Sequence, residues 1–333
     1  FSFAKEHCAL LKKVALLHFF LSFANFGAFN LYVMKRFAIA LTVLFVALSV
    51  NAQLMYRISC DTLEKPSFVL GTYHLAPASF ADSIPGVAEA FSIVEQVCGE
   101  LDMRSLQEPA NAAKLIEAMK LPDGKSLRDI LSEDELKRLN AYMYGILGVN
   151  LDNPMVDAQL SKFTPAALST QLQVMQYSKI TPGYNPASPI DVYFQKEAEK
   201  QGKPVIGLET IEMQISVLYK GTSIERQKEQ LMCMVDNPEY YVELMKSIVD
   251  AYFKQDMGKL SVAADEKLDN ICDSTPEEEN LLIYNRNADW AEKMPVIISD
   301  KPTLFVVGAL HLPGERGILE LLKAKGYKIE AVK

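Results

Sequence analysis

Beyond residue 52 the chain opens with short apolar runs separated by turn formers, then passes into a longer, helix-spaced rhythm. MYRISC and SFVLGTYH flank the turn DTLEKP and predict two antiparallel strands. The helix-spaced ADSIPGVAEAFS comes next, and IVEQVCGELDM (Ile93–Met103) predicts a third strand. The C-terminal end repeats this order. KPTLFVVGALH reads as a strand, ERGILELLKAKGY as a helix closing at Gly326, and YKIEAV as a last strand. Strand–GxxH–helix–strand therefore stands at both ends, which predicts two related half-units rather than a tandem array.

Between these ends the spacing is mostly helical, over 105–119, 133–149, 155–177, 190–201, 211–235, 239–257, 261–272 and 277–294. Ser132 with Glu135, and Thr275 with Glu278, have capping-box spacing. One short strand, KPVIGLET (Lys203–Thr210), interrupts this large helical middle segment. TPGYNPASP (Thr181–Pro189) divides it into two helical blocks.

The first 52 residues read differently. MKRFAIALTVLFVALSVNAQ has the layout of a signal peptide: Lys35 and Arg36, the uncharged run Phe37–Val50, then small residues at Val50 and Ala52. Residues 1–33 contain another apolar stretch, either a membrane anchor or an extension upstream of the true start at Met34. A complete signal peptide has no use behind a membrane span, which favours the extension. The expected organisation is an upstream extension over 1–33, a signal peptide over 34–52 and a single catalytic domain over 53–333. That domain would be exported, periplasmic or secreted, with no stable membrane anchor.

Charge narrows the partners. The 333-residue chain has a formal net charge of −8, and residues 1–52 hold five Lys or Arg against a single Glu. The remainder is more acidic still, a poor match for nucleic acid. Four cysteines follow residue 52, at positions 60, 98, 233 and 272, with no C-x-x-C among them. Cys233 and Cys272, on two predicted helices joined through a third, are the expected disulfide; free buried thiols are the alternative.

Of four histidines, only His74 and His311 lie beyond the leader, and each has Gly three places upstream. A glycine at a strand end permits a close backbone approach, and the histidine then projects from the strand's C-terminal edge, where ligand sites gather. Two such strands side by side would bring two imidazoles to one rim. Glu100 and Glu209 end apolar strands in the same way, and Asp102 could share the Glu100 face. Two histidines with one or two carboxylates suit Mn, Co, Fe or Zn, which acidify water and polarise carbonyls. Plainer readings exist for each residue. A strand-end histidine can be structural, Glu209 can cap the following helix, and Arg286 and Asn287, within a helix, can belong to a surface salt bridge.

These residues resemble the TraB/GumN family, which includes the TIKI metalloproteases, in its bacterial GumN-like branch. The resemblance rests on FVLGTYHLAP with Gly71 and His74, GELDM with Glu100, and DVYFQKEAEKQGKPVIGLETIEMQ with Asp191, Glu209 and Gln214. YNRNADW with Arg286 and Asn287 and FVVGALHLPGERGILELLKAKGY with His311 complete it. It implies an α/β fold with a central mixed sheet and flanking helices, related to the erythromycin-esterase and ChaN-like folds. It also implies a metallopeptidase using Mn2+ or Co2+, with Zn2+ or Fe2+ also possible. His74 and His311 would be metal ligands, Glu100 a ligand or general base, and Glu209, Arg286 and Asn287 catalytic supports. The helical middle, roughly 103–200, would shape a groove for a peptide or protein substrate. A metal-independent esterase-like hydrolase and a non-catalytic binder of metal, haem or peptide are the alternatives.

Overall fold

The computed structural model describes residues 53–333 apart from Pro182 and Ala187. The expected signal peptide and upstream extension lie outside the described residues. The strands β1 (Met55–Ser59), β2 (Ser67–Thr72), β3 (Gln96–Leu101), β4 (Val205–Glu209), β5 (Thr303–Gly308) and β6 (Lys328–Ala331) form one sheet in the order β4-β3-β5-β2-β1-β6. β4, β3, β5 and β2 run parallel, whereas β1 pairs antiparallel with both β2 and β6. The sheet is mixed. Every residue of β2 is buried, and β5 is buried up to Gly308, because helices cover both faces of the parallel part.

The main helices are α1 (Val87–Ile93), α2 (Glu133–Leu147), α3 (Pro165–Ile180), α4 (Ile190–Lys200), α5 (Ile224–Asp236), α6 (Pro238–Phe253), α7 (Asn285–Asp300) and α8 (Ile318–Ala324). Two apolar clusters hold them. One joins the sheet to α1, α4, α6, α7 and α8 through Leu70, Phe305, Phe194, Tyr252, Trp290 and Leu322. The other lies in the helical middle, where Leu139, Met143, Leu168, Leu172 and Leu231 bring α2, α3 and α5 together.

The two GxxH strands are neighbours, but their half-units take inequivalent places. The chain from β2 through α1 passes β5 to reach β3, whereas from β5 through α8 it passes both β2 and β1 to reach β6. Boundaries also moved for local reasons. The expected helix 155–177 is two helices, Pro154–Leu160 and α3, because Thr164 caps α3 and Pro165 cannot continue a preceding turn. The expected helix 211–235 breaks after an i→i+5 turn at Ser216–Lys220, and Ser223 caps a new start for α5. The strand expected over Ile93–Met103 narrows to Gln96–Leu101.

Ser132–Glu135 and Thr275–Glu278 both close as capping boxes. A further box, Ser126–Asp129, starts a short helix at Leu127–Ile130 that the spacing did not predict. Cys233 is bonded to Cys272, as expected, leaving Cys60 and Cys98 free. The bridge does not join two helices: the helix expected over 261–272 is Met257–Ala264, and Cys272 lies in the turn beyond it.

Candidate active site

β2 and β5 lie parallel and adjacent, with Gly71 opposite Val307 and Thr72 opposite Gly308. The two GxxH segments thus leave the same sheet edge one residue out of step. Their glycines serve different ends. A Cβ on Gly71 would lie 2.9 Å from the Cα of Ala309, so this glycine lets one repeat pack on the other's backbone. A Cβ on Gly308 would lie 3.2 Å from Glu100 Oε1, 3.4 Å from His311 Cδ2 and 3.9 Å from His74 Nε2. Gly308 therefore floors a cradle on which two imidazoles and a carboxylate converge.

Glu100 reaches the cradle because β3 lies on the other side of β5. Its Oε1 accepts the Gly308 N–H at 2.7 Å and its Oε2 accepts Arg286 Nη2 at 2.6 Å. Burial alone would raise its pKa and is the largest single influence. His74, Arg286, His311 and the Gly308 N–H together outweigh it and hold the carboxyl at about 2.

His311 is buried, its ring tilted against Trp290 with centroids 4.4 Å apart. Asn287 Nδ2 donates to the Arg316 carbonyl, which leaves Asn287 Oδ1 as an acceptor 2.6 Å from His311 Nδ1. That arrangement assigns the proton to Nδ1 and a lone pair to Nε2, which accepts from Arg286 Nη1 at 3.1 Å. Burial, with the charges of Arg286 and His74, pushes the imidazole down to about 4, so it is neutral at pH 7.

His74 sits in the turn after β2, with 67% of its side-chain surface open. Its Nδ1 lies 3.1 Å from Asp191 Oδ2, while Asp191 Oδ1 accepts from Thr72 Oγ1. The start of α4 is pinned beside this turn: Ala78 N–H donates to Ser188 O, and Ile190 N–H donates to Ala76 O. Asp191 raises the His74 pKa, an effect that solvent screening at so open a ring reduces.

Arg286 links the parts. It lies just after an i→i+5 turn, Asn280–Tyr284, whose Leu282 carbonyl accepts from Nη1 at 3.0 Å. Nε and Nη2 donate to Glu209, and the remaining donors go to Glu100 and His311, so all five N–H groups are used. The guanidinium also stacks over Trp290. Arg286 and Asn287 are thus interior groups rather than parts of a surface salt bridge.

Glu209 is not a helix cap either. Thr210 caps the next helix, and Glu209 accepts from Arg286, Trp290 Nε1 and Gln214 Nε2. Its side chain is 1% exposed and is paired with Arg286. Asp102 does not join Glu100; it caps a short turn and pairs with Arg104. The residues that spacing did not select are Thr72, Trp290 and the pairing of Asp191 with His74. Thr72 lies inside the first GxxH motif and Trp290 is the chain's lone tryptophan, but the Asp191 contact spans 117 positions and has no local signal.

The donor chemistry fits a divalent ion: two imidazole Nε2 atoms, each with an oriented Nδ1, and one carboxylate. Among the described residues, however, no group of three His, Cys, Asp or Glu side chains already encloses a metal position. Arg286 stands between Glu100 and His311, and no ion can share the His311 Nε2 lone pair with it.

The TraB/PrgY/gumN family matches residues 54–331. The chain is similar to metalloprotease TIKI2 of Danio rerio, 23% identical over 309 residues, covering 80% of this chain and 58% of the relative. It is also similar to metalloprotease TIKI1 of Homo sapiens, 24% identical over 311 residues, covering 80% and 60%. A metalloprotease TIKI homolog of Nematostella vectensis is 21% identical over 316 residues, covering 80% and 65%. The chain spans less than two thirds of each relative's length. No solved structure matches. Among the described residues no helix is long and apolar enough to cross a membrane.

Proposed function

The chain belongs to the TraB/PrgY/gumN family, and from that premise we propose that it is an exported, metal-dependent hydrolase that cleaves peptide bonds. The observation that carries this reading is the convergence of His74 Nε2, Glu100 Oε1 and the His311 ring on Gly308. The names of the relatives support protease chemistry and a divalent ion at family level. The Cys233–Cys272 bridge supports an oxidising compartment and hence export. The mixed sheet is compatible with an erythromycin-esterase or ChaN-like arrangement, which is part of the same proposal.

His74, Glu100 and, once Arg286 Nη1 gives up the Nε2 lone pair, His311 would hold the ion, with Mn2+ or Co2+ favoured and Zn2+ or Fe2+ compatible. When bound, the ion supplies Lewis acidity to water and to the scissile carbonyl. Asp191 keeps the His74 proton on Nδ1 and turns Nε2 to the cradle. Asn287 does the same for His311. Glu100 turns Oε1 to the cradle beside both imidazoles, the place for a ligand. Asn287 is fully buried with both amide atoms engaged, and Arg286 has no free N–H. Their bonding favours positioning roles and long-range charge stabilisation over direct donation to an oxyanion.

The test is cleavage of a peptide library, followed by mass spectrometry, with Mn2+ or Co2+ and after chelation. It is paired with metal analysis of wild type, His74→Ala and His311→Ala. Metal-dependent cleavage and loss of bound metal in both variants are expected. Equal metal content in all three proteins would reject the ligand assignment. A second reading, a hydrolase with the His74–Asp191 pair as base and no metal, draws on the Arg286 bond to His311 Nε2. Activity that survives chelation would select it.

A further inference from the structure

We propose that the cavity beside His74 and Glu100 receives an uncharged, apolar side chain of the substrate, so that cleavage falls next to a residue such as Leu, Met or Phe. This rests on the peptidase reading and adds the substrate class. The cavity measures about 300 Å3 and opens directly onto His74, Glu100 and Asp191. That size lies at the lower end for small-molecule pockets and suits one or two side chains. Its walls come from the segment after β3, the helix Pro109–Ala118, α4 and the helical segment 211–220.

The wall is apolar where it matters. Leu101, Met103, Leu106, Leu115 and Val192 line it while only partly buried, and Leu218 lines it while 45% exposed. Apolar surface left uncovered beside a reaction centre gains from a ligand that covers it. Apart from His74 Nε2 and the Tyr219 hydroxyl, the polar members of the wall are already engaged. Gln195 accepts the Met103 N–H and donates to the Leu101 carbonyl, both at 2.9 Å, and Gln214 donates to Glu209. Glu100 is bound by Gly308 and Arg286, and Asp191 by Thr72 and His74. The charged groups of the wall, His74, Glu100 and Asp191, all stand at the reaction centre, so a substrate Lys or Glu side chain laid against Leu106, Leu115 and Leu218 would lose hydration without gaining an ion pair there. Each buried substrate methylene is worth about fourfold in binding, so Leu should exceed Ala by roughly tenfold or more in kcat/KM.

Two measurements test this. Cleavage sites are mapped in a peptide library with the Mn2+-loaded and Co2+-loaded protein. Binding is followed separately by the 13C-methyl signal of Met103, assigned with Met103→Leu, during titration with the N-acetyl amides of leucine, lysine and glutamate. Expected are cleavage beside apolar residues, a saturable Met103 shift from the leucine amide only, and loss of that shift in a folded Leu115→Glu variant. Cleavage without side-chain preference, or equal shifts from all three amides, would overturn the proposal. A selective Met103 shift without any peptide cleavage would overturn the peptidase reading alone and still support the apolar preference of the cavity.

Discussion

Arg286 donates twice to Glu209 and once to Glu100, so one guanidinium ties the ends of β3 and β4 to α7. The two carboxylates are not equivalent. Glu209 also takes Trp290 Nε1 and Gln214 and is sealed from solvent, whereas Glu100 opens to the cavity. Glu209→Gln should therefore cost about 3–5 kcal/mol, the range for breaking a buried ion pair. Glu100→Gln leaves Arg286 paired to Glu209, so it should cost less stability while removing metal binding. Urea denaturation and metal analysis of both variants check this. Similar stability losses with metal binding intact in Glu100→Gln would contradict the division of roles.

Gly71 and Gly308 offer a matched pair of substitutions. Gly308→Ala places a methyl group against Glu100, His311 and His74, side chains that can shift slightly, so the fold should survive. The shift needed is a few tenths of an ångström, well short of the displacement of about 1 Å that can cost about 100-fold, so a loss of roughly tenfold in kcat is expected. Gly71→Ala instead presses on the backbone of Ala309 and should cost about 1–3 kcal/mol through overpacking. Thermal unfolding and peptide turnover, measured on both, separate these effects. A large stability loss in Gly308→Ala with turnover preserved would refute the cradle.

How much of this was legible in the sequence depended on range. The strands, the two capping boxes and the pairing of the GxxH segments carry local signals, because apolar runs, cap residues and glycines act within a few positions. Glu100 was visible as a carboxylate at the end of an apolar run. The interior placement of Arg286 was not: its partners Glu100, Glu209 and His311 come from three distant strand ends. The same holds for Asp191, which meets His74 only because α4 starts beside β2. The splitting of the two long expected helices was foreshadowed by Thr164-Pro165 and Ser223, local cap signals that the apolar spacing masked.

The Cys233–Cys272 bridge closes a separation of 39 residues that includes α6 and the loop after Met257–Ala264. Chain-entropy arguments assign such a loop about 4 kcal/mol, with measured values commonly about 2–4. The double variant Cys233→Ser, Cys272→Ser should lose about that much in urea denaturation, and a reductant should shift the wild type to match it. Removing Cys60 in the same assay should change little, since it is free and partly exposed. A reductant-insensitive midpoint would show that the bridge contributes nothing to stability.

Glu278 makes acid stability readable away from the site. Its carboxylate takes Arg226 Nε and Nη2, accepts the Thr275 N–H in the capping box of the short helix Pro276–Glu279 and is buried. The Arg226 hydrogen bond, opposed by burial and aided by Thr275, lowers its pKa below the usual 4.5. A depressed folded pKa means that the stabilisation is fully present above the unfolded value and is lost as pH falls through the folded one. Wild type should therefore be more stable than Glu278→Gln at pH 7, and the gap should narrow once the pH drops below about 4.5. Urea midpoints for both proteins from neutral to acidic pH give the measurement. A gap independent of pH would mean that packing, not ionisation, accounts for the Glu278 contribution.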